Sequence, residues 1–202
     1  MLQTQTVIPD LLELLKKIMS EELFLDFHLV GGTSLSLQIG HRNSIDIDLF
    51  GNSEINEDLF LDKLSTFGKV QVIQATKNIL ITKINDLKVD FVNYKYPLLK
   101  DVLIIDNIRM LSTADIAAMK LNAIAGRGSK KDFIDLYFLL DEFSLTQIFD
   151  FYGKKFKDGS RFMVEKSLTY FDDADRQLEP KMFKPFEWEI CKQKIIDEVL
   201  KL

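Results

Sequence analysis

The stretch from residue 28 to residue 50, HLVGGTSLSLQIGHRNSIDIDLF, constrains the fold more than any other part of this 202-residue chain. Near its end, Asp46 and Asp48 alternate with apolar residues, which is the two-residue period of a β-strand with one polar and one apolar face. Side chains two apart on a strand lie roughly 6–7 Å from each other on the same side. Two carboxylates so placed repel each other unless a cation lies between them. The strand is therefore predicted to bind a divalent cation.

The first half of the same stretch has the pattern of a strand, a tight loop and a short helix. An apolar run ends at Gly31 and Gly32, and Thr33 and Ser34 begin a helix that Gly40 ends. The first N–H groups of a helix lack partners within the helix and attract anions. A glycine pair alone is usually only a turn, and an Asp-X-Asp pair alone is often a solvated strand face. Their combination at this spacing favours a phosphate-binding loop beside a metal site.

Composition restricts the chemistry that these residues could perform. One cysteine and two histidines are too few for a Cys/His zinc site, so carboxylate ligands and Mg²⁺ or Mn²⁺ are expected. A net charge of −5 provides no overall basic surface, so a nucleic acid would need a local patch or metal ions. The N-terminus lacks a signal-peptide pattern, and no apolar run reaches the ~20 residues of a membrane span. These features predict a cytoplasmic protein.

The remainder of the chain divides into a strand-containing part and a helical part. Asp90 lies in the third of three strands predicted to form an antiparallel meander, at residues 70–75, 79–85 and 87–93. Further helices, with Ser129 as the cap of the second, are predicted at 114–125, 130–140, 145–156, 161–171 and 186–200. The predicted fold is α+β: a mixed or antiparallel sheet with flanking helices in residues 1–110, followed by a helical domain in residues 111–202.

Two segments together resemble a known family. Residues 30–49 have an apolar residue and two glycines, then thirteen residues, then Asp-apolar-Asp-apolar, which resembles the signature of polymerase-β-like nucleotidyltransferases. With DIAAMKLNAIAGRGSKKDFIDLYFLL at residues 115–140, the chain is similar to the AbiEii/AbiGii-type nucleotidyltransferase toxins of bacterial abortive-infection and toxin–antitoxin systems. The resemblance implies a polymerase-β-like nucleotidyltransferase domain followed by a helical domain.

The resemblance also implies roles for individual residues. Asp46 and Asp48 match the metal-binding pair, and Asp90 has the position of the third carboxylate in a two-metal Mg²⁺ or Mn²⁺ site. Four residues match the loop that holds the nucleotide's phosphates: Gly31, Gly32, Thr33 and Ser34. Lys120 matches a lysine used in catalysis or toward the nucleotide, and Asp132 and Asp135 match a following motif in which either could act. Candidates for neutralising the remaining phosphate charge are Arg42, Lys120, Arg127 and Lys131.

The implied activity is transfer of a nucleoside monophosphate from an NTP, GTP or another, to an acceptor such as tRNA, other RNA or a protein hydroxyl. The chain would be the toxin of a two-gene system with a cognate antitoxin. Two alternatives stay open: a catalytically silent nucleotide-binding or protein-interaction module on the same scaffold, and a phosphotransfer enzyme directed at the γ-phosphate. The sequence does not select the NTP, the acceptor or the oligomeric state.

Several of these residues also have a purely structural interpretation. Lys120 could extend from an apolar helix face to solvent, and Asp132 could only stabilise the first turn of its helix. Asp135 could pair with Lys131 on a solvent face at a spacing of four residues. A basic cluster is either a solvated face or a contact for an RNA backbone, and it comprises Lys154, Lys155, Lys157 and Arg161.

Overall fold

The computed structural model describes residues 1–202, which divide into two compact units. Unit 1 comprises Met1–Tyr96 and Val102–Leu111, and unit 2 comprises Pro97–Asp101 and Ser112–Leu202. All strands lie in unit 1, whereas the regular structure of unit 2 is entirely helical. The predicted α+β fold class is therefore confirmed.

A seven-stranded mixed sheet forms the centre of unit 1. Its strands are β1 (Phe27–Leu29), β2 (Asp46–Gly51), β3 (Val70–Thr76), β4 (Ile79–Ile84), β5 (Leu87–Asn93), β6 (Leu103–Ile105) and β7 (Ile108–Met110). Their order across the sheet is β3-β4-β5-β2-β1-β7-β6. The predicted meander of β3, β4 and β5 is confirmed as antiparallel, while β2 pairs in parallel with β5, and β1 in parallel with β7.

Three α-helices accompany the sheet in unit 1, α1 (Pro9–Met19), α2 (Gly31–Ile39) and α3 (Glu57–Ser65), together with short 3-10 helices at Thr4–Thr6 and Glu22–Phe24. Pro9 begins α1, where its missing N–H costs no hydrogen bond. Gly40 ends α2 in the left-handed conformation, as the sequence predicts. Asn56 caps α3 by accepting a hydrogen bond from the backbone N–H of Leu59. The helices therefore begin and end for local chemical reasons.

One face of the sheet forms the hydrophobic core of unit 1. Alternate residues of β2 and β5, among them Leu49 and Phe91, have no exposed surface. Phe91 also belongs to a cluster of four buried rings whose contacting centroids lie 4.9–5.6 Å apart, made up of Phe24, Phe27, Phe60 and Phe91. Because side chains alternate along a strand, this burial turns the intervening residues of β2 and β5 to the opposite face.

Arg109 on β7 ties together the chain segments that precede and begin β1. Its guanidinium donates to the carbonyls of Met19, Phe24 and Phe27, at 2.8, 3.0 and 3.4 Å. Guanidinium groups suit this role because they present several donors in a rigid planar arrangement. The sequence pattern did not indicate this residue, since its three partners are backbone atoms distant along the chain.

Unit 2 contains six helices: α4 (Thr113–Gly126), α5 (Lys130–Leu139), α6 (Leu145–Lys155), α7 (Arg161–Ser167), α8 (Asp172–Asp175) and α9 (Trp188–Val199). Ser112 caps α4, and Ser144 and Gln147 form a reciprocal capping box at the start of α6. No helix of the chain combines the length and the apolar character needed to cross a lipid bilayer.

Lys155 is buried in unit 2, so the prediction that it belongs to a basic surface cluster is wrong. Only 1% of its surface is exposed, and its ammonium lies 2.8 Å from Asp115 Oδ1 and 2.8 Å from the carbonyl of Pro97. Asp115 also accepts hydrogen bonds from the backbone N–H groups of Leu99 and Lys100. A buried lysine needs such partners because an unpaired charge is costly away from water.

Replacing Phe91 by alanine should lower the free energy of unfolding by about 3–5 kcal/mol, because it leaves a cavity inside the ring cluster. Phe162 is the matched control, since it is 70% exposed. Phe162→Ala should change the free energy of unfolding by about 0.5 kcal/mol or less. Urea denaturation followed by circular dichroism measures both values, and equal effects of the two substitutions would contradict the described core.

Candidate active site

The three predicted metal-binding carboxylates lie on one face of the sheet, opposite the hydrophobic core. In the parallel register of β2 and β5, Asp48 pairs with Asp90, and Asp46 pairs with Lys88. Residues paired across neighbouring strands point to the same face. Asp46 and Asp48 are half-buried, and Asp90 is 9% exposed. The structure therefore brings Asp90 beside Asp48, which the sequence could indicate only by analogy.

Lys88 shares this face and did not stand out in the sequence. Its ammonium lies 2.5 Å from Asp90 Oδ2. Burial alone would lower the pKa of Lys88, but the hydrogen bond with Asp90 and the charges of Asp90, Asp48 and Asp46 raise it above its ordinary value. The one available signal was its position two residues before Asp90 on the same strand.

The donor atoms on this face fit a divalent cation in their chemistry. All three candidate ligands are carboxylates, the preferred partners of Mg²⁺ and Mn²⁺. The second oxygen of Asp90, Oδ1, is buried and has no hydrogen-bond partner, so it is a donor atom suited to a cation. No group of three or more acidic, histidine or cysteine side chains is gathered closely enough to hold a metal ion. Binding through all three would therefore require the side chains to turn toward a common point.

Gly31 places the start of α2 directly beside Asp48. Its φ is +67°, a left-handed conformation that side chains rarely adopt, and a Cβ here would lie 2.6 Å from Asp48 Oδ2. Because α2 begins at Gly31, the positive end of the helix faces a candidate metal ligand. The presence of glycine at position 31 thus has a steric reason that only the folded chain shows.

Arg42 packs against the second glycine of the loop. A Cβ on Gly32 would clash with Arg42 Nη2, and Arg42 is only 2% exposed. Its Nη1 donates to the carbonyl of Asn43 at 2.8 Å. This contact makes Arg42 a residue that shapes the loop.

The hydroxyl groups of the loop are engaged inside the protein. Thr33 Oγ1 lies 2.7 Å from Ser44 Oγ and also contacts the carbonyl of Asp46, which ties α2 to β2. Ser34 Oγ accepts a hydrogen bond of 3.1 Å from Gln38 Nε2. Both residues are fully buried. The predicted phosphate binding by this loop therefore depends on its backbone N–H groups rather than on these hydroxyls.

Lys120, Asp132 and Asp135 form a buried charge network within unit 2. The Lys120 ammonium lies 2.9 Å from Asp132 Oδ1 and 2.6 Å from Asp135 Oδ2, and Lys120 is 5% exposed. The alternative in which Lys120 extends to solvent is therefore wrong. The alternative pairing of Asp135 with Lys131 is also wrong, because Asp135 is fully buried and Lys131 is exposed.

Asp132 is the most heavily bonded member of this network. Arg127 donates to it through Nε at 2.8 Å and Nη2 at 3.1 Å, and Ser129 donates through its hydroxyl at 2.6 Å. Ser129 thus bonds the carboxylate rather than capping α5 through its side chain. Burial alone would raise the pKa of Asp132, but Lys120, Arg127 and Ser129 together lower it well below its ordinary value. A carboxylate held this firmly in its charged form is a poor proton acceptor at neutral pH.

Asp132→Asn should lower the free energy of unfolding by about 3 kcal/mol at pH 7, because it leaves Lys120 and Arg127 with less compensating charge. The pKa of Asp132 is lowered in the folded state, so its contribution is complete above the unfolded-state pKa and is lost on acidification. The difference from wild type should therefore shrink below about pH 4. Urea denaturation between pH 7 and pH 3 checks this.

The control for that measurement is Asp141→Asn, which breaks the ion pair between Lys194 and an Asp141 side chain that is 65% exposed. This surface pair should contribute less than about 1 kcal/mol. An Asp132→Asn effect as small as that of the control would contradict the described network.

Gly31→Ala should destabilise the fold by about 1–2 kcal/mol, because alanine is strained at a left-handed φ and its methyl group meets Asp48. Gly153 in α6 is the matched control, since a Cβ there would have no atom within 4 Å. Gly153→Ala should instead stabilise the fold by roughly 0.5–1 kcal/mol, because alanine favours a helix. Thermal unfolding of the two variants should shift the midpoint in opposite directions, and shifts in the same direction would refute the described loop.

Comparison with known proteins identifies the family. The family described as "Nucleotidyl transferase AbiEii toxin, Type IV TA system" matches residues 13–103 and 97–200, nearly the whole chain. This confirms the resemblance carried by residues 30–49 and 115–140. A protein of Aquifex aeolicus (strain VF5), named as uncharacterised protein aq_aa25, is 37% identical over 175 residues, covering 82% of this chain and 84% of that protein.

Two solved structures share the fold at low sequence identity. JHP933 from Helicobacter pylori matches with a TM-score of 0.60 and 16% identity, over 95% of this chain and 88% of that one. The nucleotidyltransferase toxin MenT4 from Mycobacterium tuberculosis H37Rv matches with a TM-score of 0.60 and 15% identity, over 96% and 83%. With the sheet, the carboxylates and the family match together, the chain belongs to the AbiEii family of nucleotidyltransferase toxins from type IV toxin–antitoxin systems.

Proposed function

We propose that this toxin transfers a nucleoside monophosphate from an NTP, GTP or another, to an RNA acceptor such as tRNA, with release of pyrophosphate, and that Mg²⁺ or Mn²⁺ is required. The observation that carries the proposal is the pairing of Asp48 with Asp90 beside the start of α2. Nucleotidyl transfer needs carboxylates that bind cations and N–H groups that bind phosphates at one place. Unit 1 supplies both.

Within unit 1, the proposed division of labour follows from the donor and acceptor atoms. Asp46, Asp48 and Asp90 would hold two metal ions, which neutralise the charge that develops on the attacking and leaving oxygens. The backbone N–H groups at the start of α2, with the positive end of that helix, would hold the β- and γ-phosphates. Arg42 and the buried hydroxyls of Thr33 and Ser34 would hold the loop in its conformation. They would thereby position the phosphates without taking part in proton transfer.

Within unit 2, the geometry favours different roles for the two acidic residues. Asp132 would position Lys120 and Arg127, because its oxygens already accept from both. Asp135 accepts from Lys120 at 2.6 Å and would hold that ammonium from the other side. Arg127 and Lys131 are then the proposed cationic partners of a phosphate group, while Lys120 holds Asp132 and Asp135 in place. Arg127 is suited to this, since 69% of its side chain remains exposed.

The proposed setting is a bacterial cytoplasm, where NTPs and tRNA are available. Membership in a type IV toxin–antitoxin family supports a cognate antitoxin as partner. The structure of MenT4 is described as that of a nucleotidyltransferase toxin, which supports a toxic activity of the same class here.

The test is incubation of the protein with each of four NTPs labelled at the α-phosphate, with Mg²⁺ or Mn²⁺ and total bacterial RNA. Wild type should label RNA, and Asp46→Asn or Asp48→Asn should reduce labelling on the order of 100-fold or more, because several kcal/mol of charge stabilisation is lost. Asp58→Asn, an exposed acid on α3, should keep wild-type labelling.

A parallel reaction with γ-labelled NTP separates the alternatives. If RNA is labelled by γ-labelled NTP but not by α-labelled NTP, the protein is a phosphotransfer enzyme and not a nucleotidyltransferase. NTP binding seen by calorimetry without any labelled product would favour a silent binding module. Equal labelling by wild type and the two aspartate variants would contradict the proposed role of Asp46 and Asp48 in catalysis.

A further inference from the structure

Lys88 lies among the candidate metal ligands, and the proposed function leaves it without a role. It pairs in register with Asp46 on β2, and its ammonium is 2.5 Å from Asp90 Oδ2 on its own strand. The Lys88 side chain is 37% exposed and that of Asp90 is 13% exposed, so water screens their attraction only in part. The Lys88 ammonium therefore lies on the same face of the sheet as three carboxylates and interacts with their charges.

A lysine ammonium and a divalent cation both bind carboxylate oxygens, so they compete for the same atoms. One oxygen of Asp90 already accepts from Lys88, while the other is buried and has no partner. The carboxylates themselves are not gathered around a common point. Binding of a metal ion through both carboxylate oxygens of Asp90 therefore requires that the hydrogen bond from Lys88 to Oδ2 be broken or weakened.

We propose that Lys88 is an internal counter-ion of this site, which holds Asp90 in the metal-free protein and is displaced when a divalent cation binds. The inference rests on the proposed function, because that function assigns the cation to Asp46, Asp48 and Asp90. The backbone of Lys88 is fixed beside Asp46, so the displaced ammonium stays on the same face of the sheet. Lys88 is accordingly a positioning residue and not a metal ligand.

Binding of Mn²⁺ to the metal-free protein, without nucleotide, tests this directly. Free Mn²⁺ is measured by electron paramagnetic resonance during titration. Lys88→Met removes the ammonium while keeping an unbranched side chain only one atom shorter, and should tighten Mn²⁺ binding about tenfold. Lys88→Arg keeps the charge and should remain near wild type. A purely structural lysine would give unchanged or weaker binding when replaced by methionine.

Lys83 provides the matched control for the general effect of removing a positive charge. It lies on β4 in register with Lys88, on the same face, and is exposed. Because its charge is well solvated and one strand further from Asp90, Lys83→Met should tighten Mn²⁺ binding by no more than about twofold. Lys88→Met and Lys83→Met thus remove the same charge, but only Lys88→Met removes a contact with Asp90.

A double-mutant cycle with Asp90→Asn tests whether Asp90 is the carboxylate for which Lys88 and the metal ion compete. In the Asp90→Asn background the gain from Lys88→Met should fall to that of Lys83→Met, because the contact being competed for is gone. Circular dichroism shows that each variant is folded, and Lys88→Gln replaces Lys88→Met in the comparison if the latter is not.

The failures of the two proposals are distinguishable. Equal Mn²⁺ affinity of wild type and Lys88→Met overturns the role of Lys88 alone, as does a gain that persists in the Asp90→Asn background. If no variant binds Mn²⁺, both the proposed metal site and the proposed counter-ion role of Lys88 are wrong. Binding by Lys88→Met where wild type binds none supports the counter-ion in its strongest form.

Discussion

The parallel pairing of β2 with β5 is the constraint on which the rest of unit 1 depends. Its register places Asp48 beside Asp90 on one face and Leu49 beside Phe91 on the other. A slip of one residue would move the carboxylates into the core and the buried side chains to solvent. The apolar packing around Phe91 therefore holds the carboxylates in place at the same time as it stabilises the sheet.

Lys120 and Lys88 both pair with aspartates, and the difference in their burial gives the two pairings different consequences. Lys120 is almost completely buried between Asp132 and Asp135, so breaking that network leaves uncompensated charge away from water. Lys88 is partly exposed, and its contact with Asp90 is correspondingly easier to exchange. The first arrangement suits a permanent part of the helical unit. The second suits a site whose partner changes when a cation and a nucleotide arrive.

Much of the candidate site could be predicted from the sequence, and what was missed has a common physical cause. The shared face of Asp46 and Asp48, the presence of a short helix before β2 and its end at Gly40 follow from patterns within about twenty residues. The helix itself begins at Gly31, two residues before its predicted start at Thr33. Lys88 was missed because the carboxylates around it come from two strands separated by about forty residues in the chain. Lys155 was wrongly predicted to lie on the surface, because the lysines around it in the sequence give no indication of its ion pair with Asp115, forty residues earlier.

The sequence by itself determined the family, the alternation of polar and apolar residues in the strands, and the local signals that begin and end the helices. These depend on side-chain period and backbone preference, which neighbouring residues specify. Only the tertiary structure decided that Asp90 lies beside Asp48, that Gly31 must be glycine because Asp48 approaches it, and that Lys88 shares their face. Those contacts join strands that are distant in the chain, and their register is set by burial of the opposite face rather than by any local pattern.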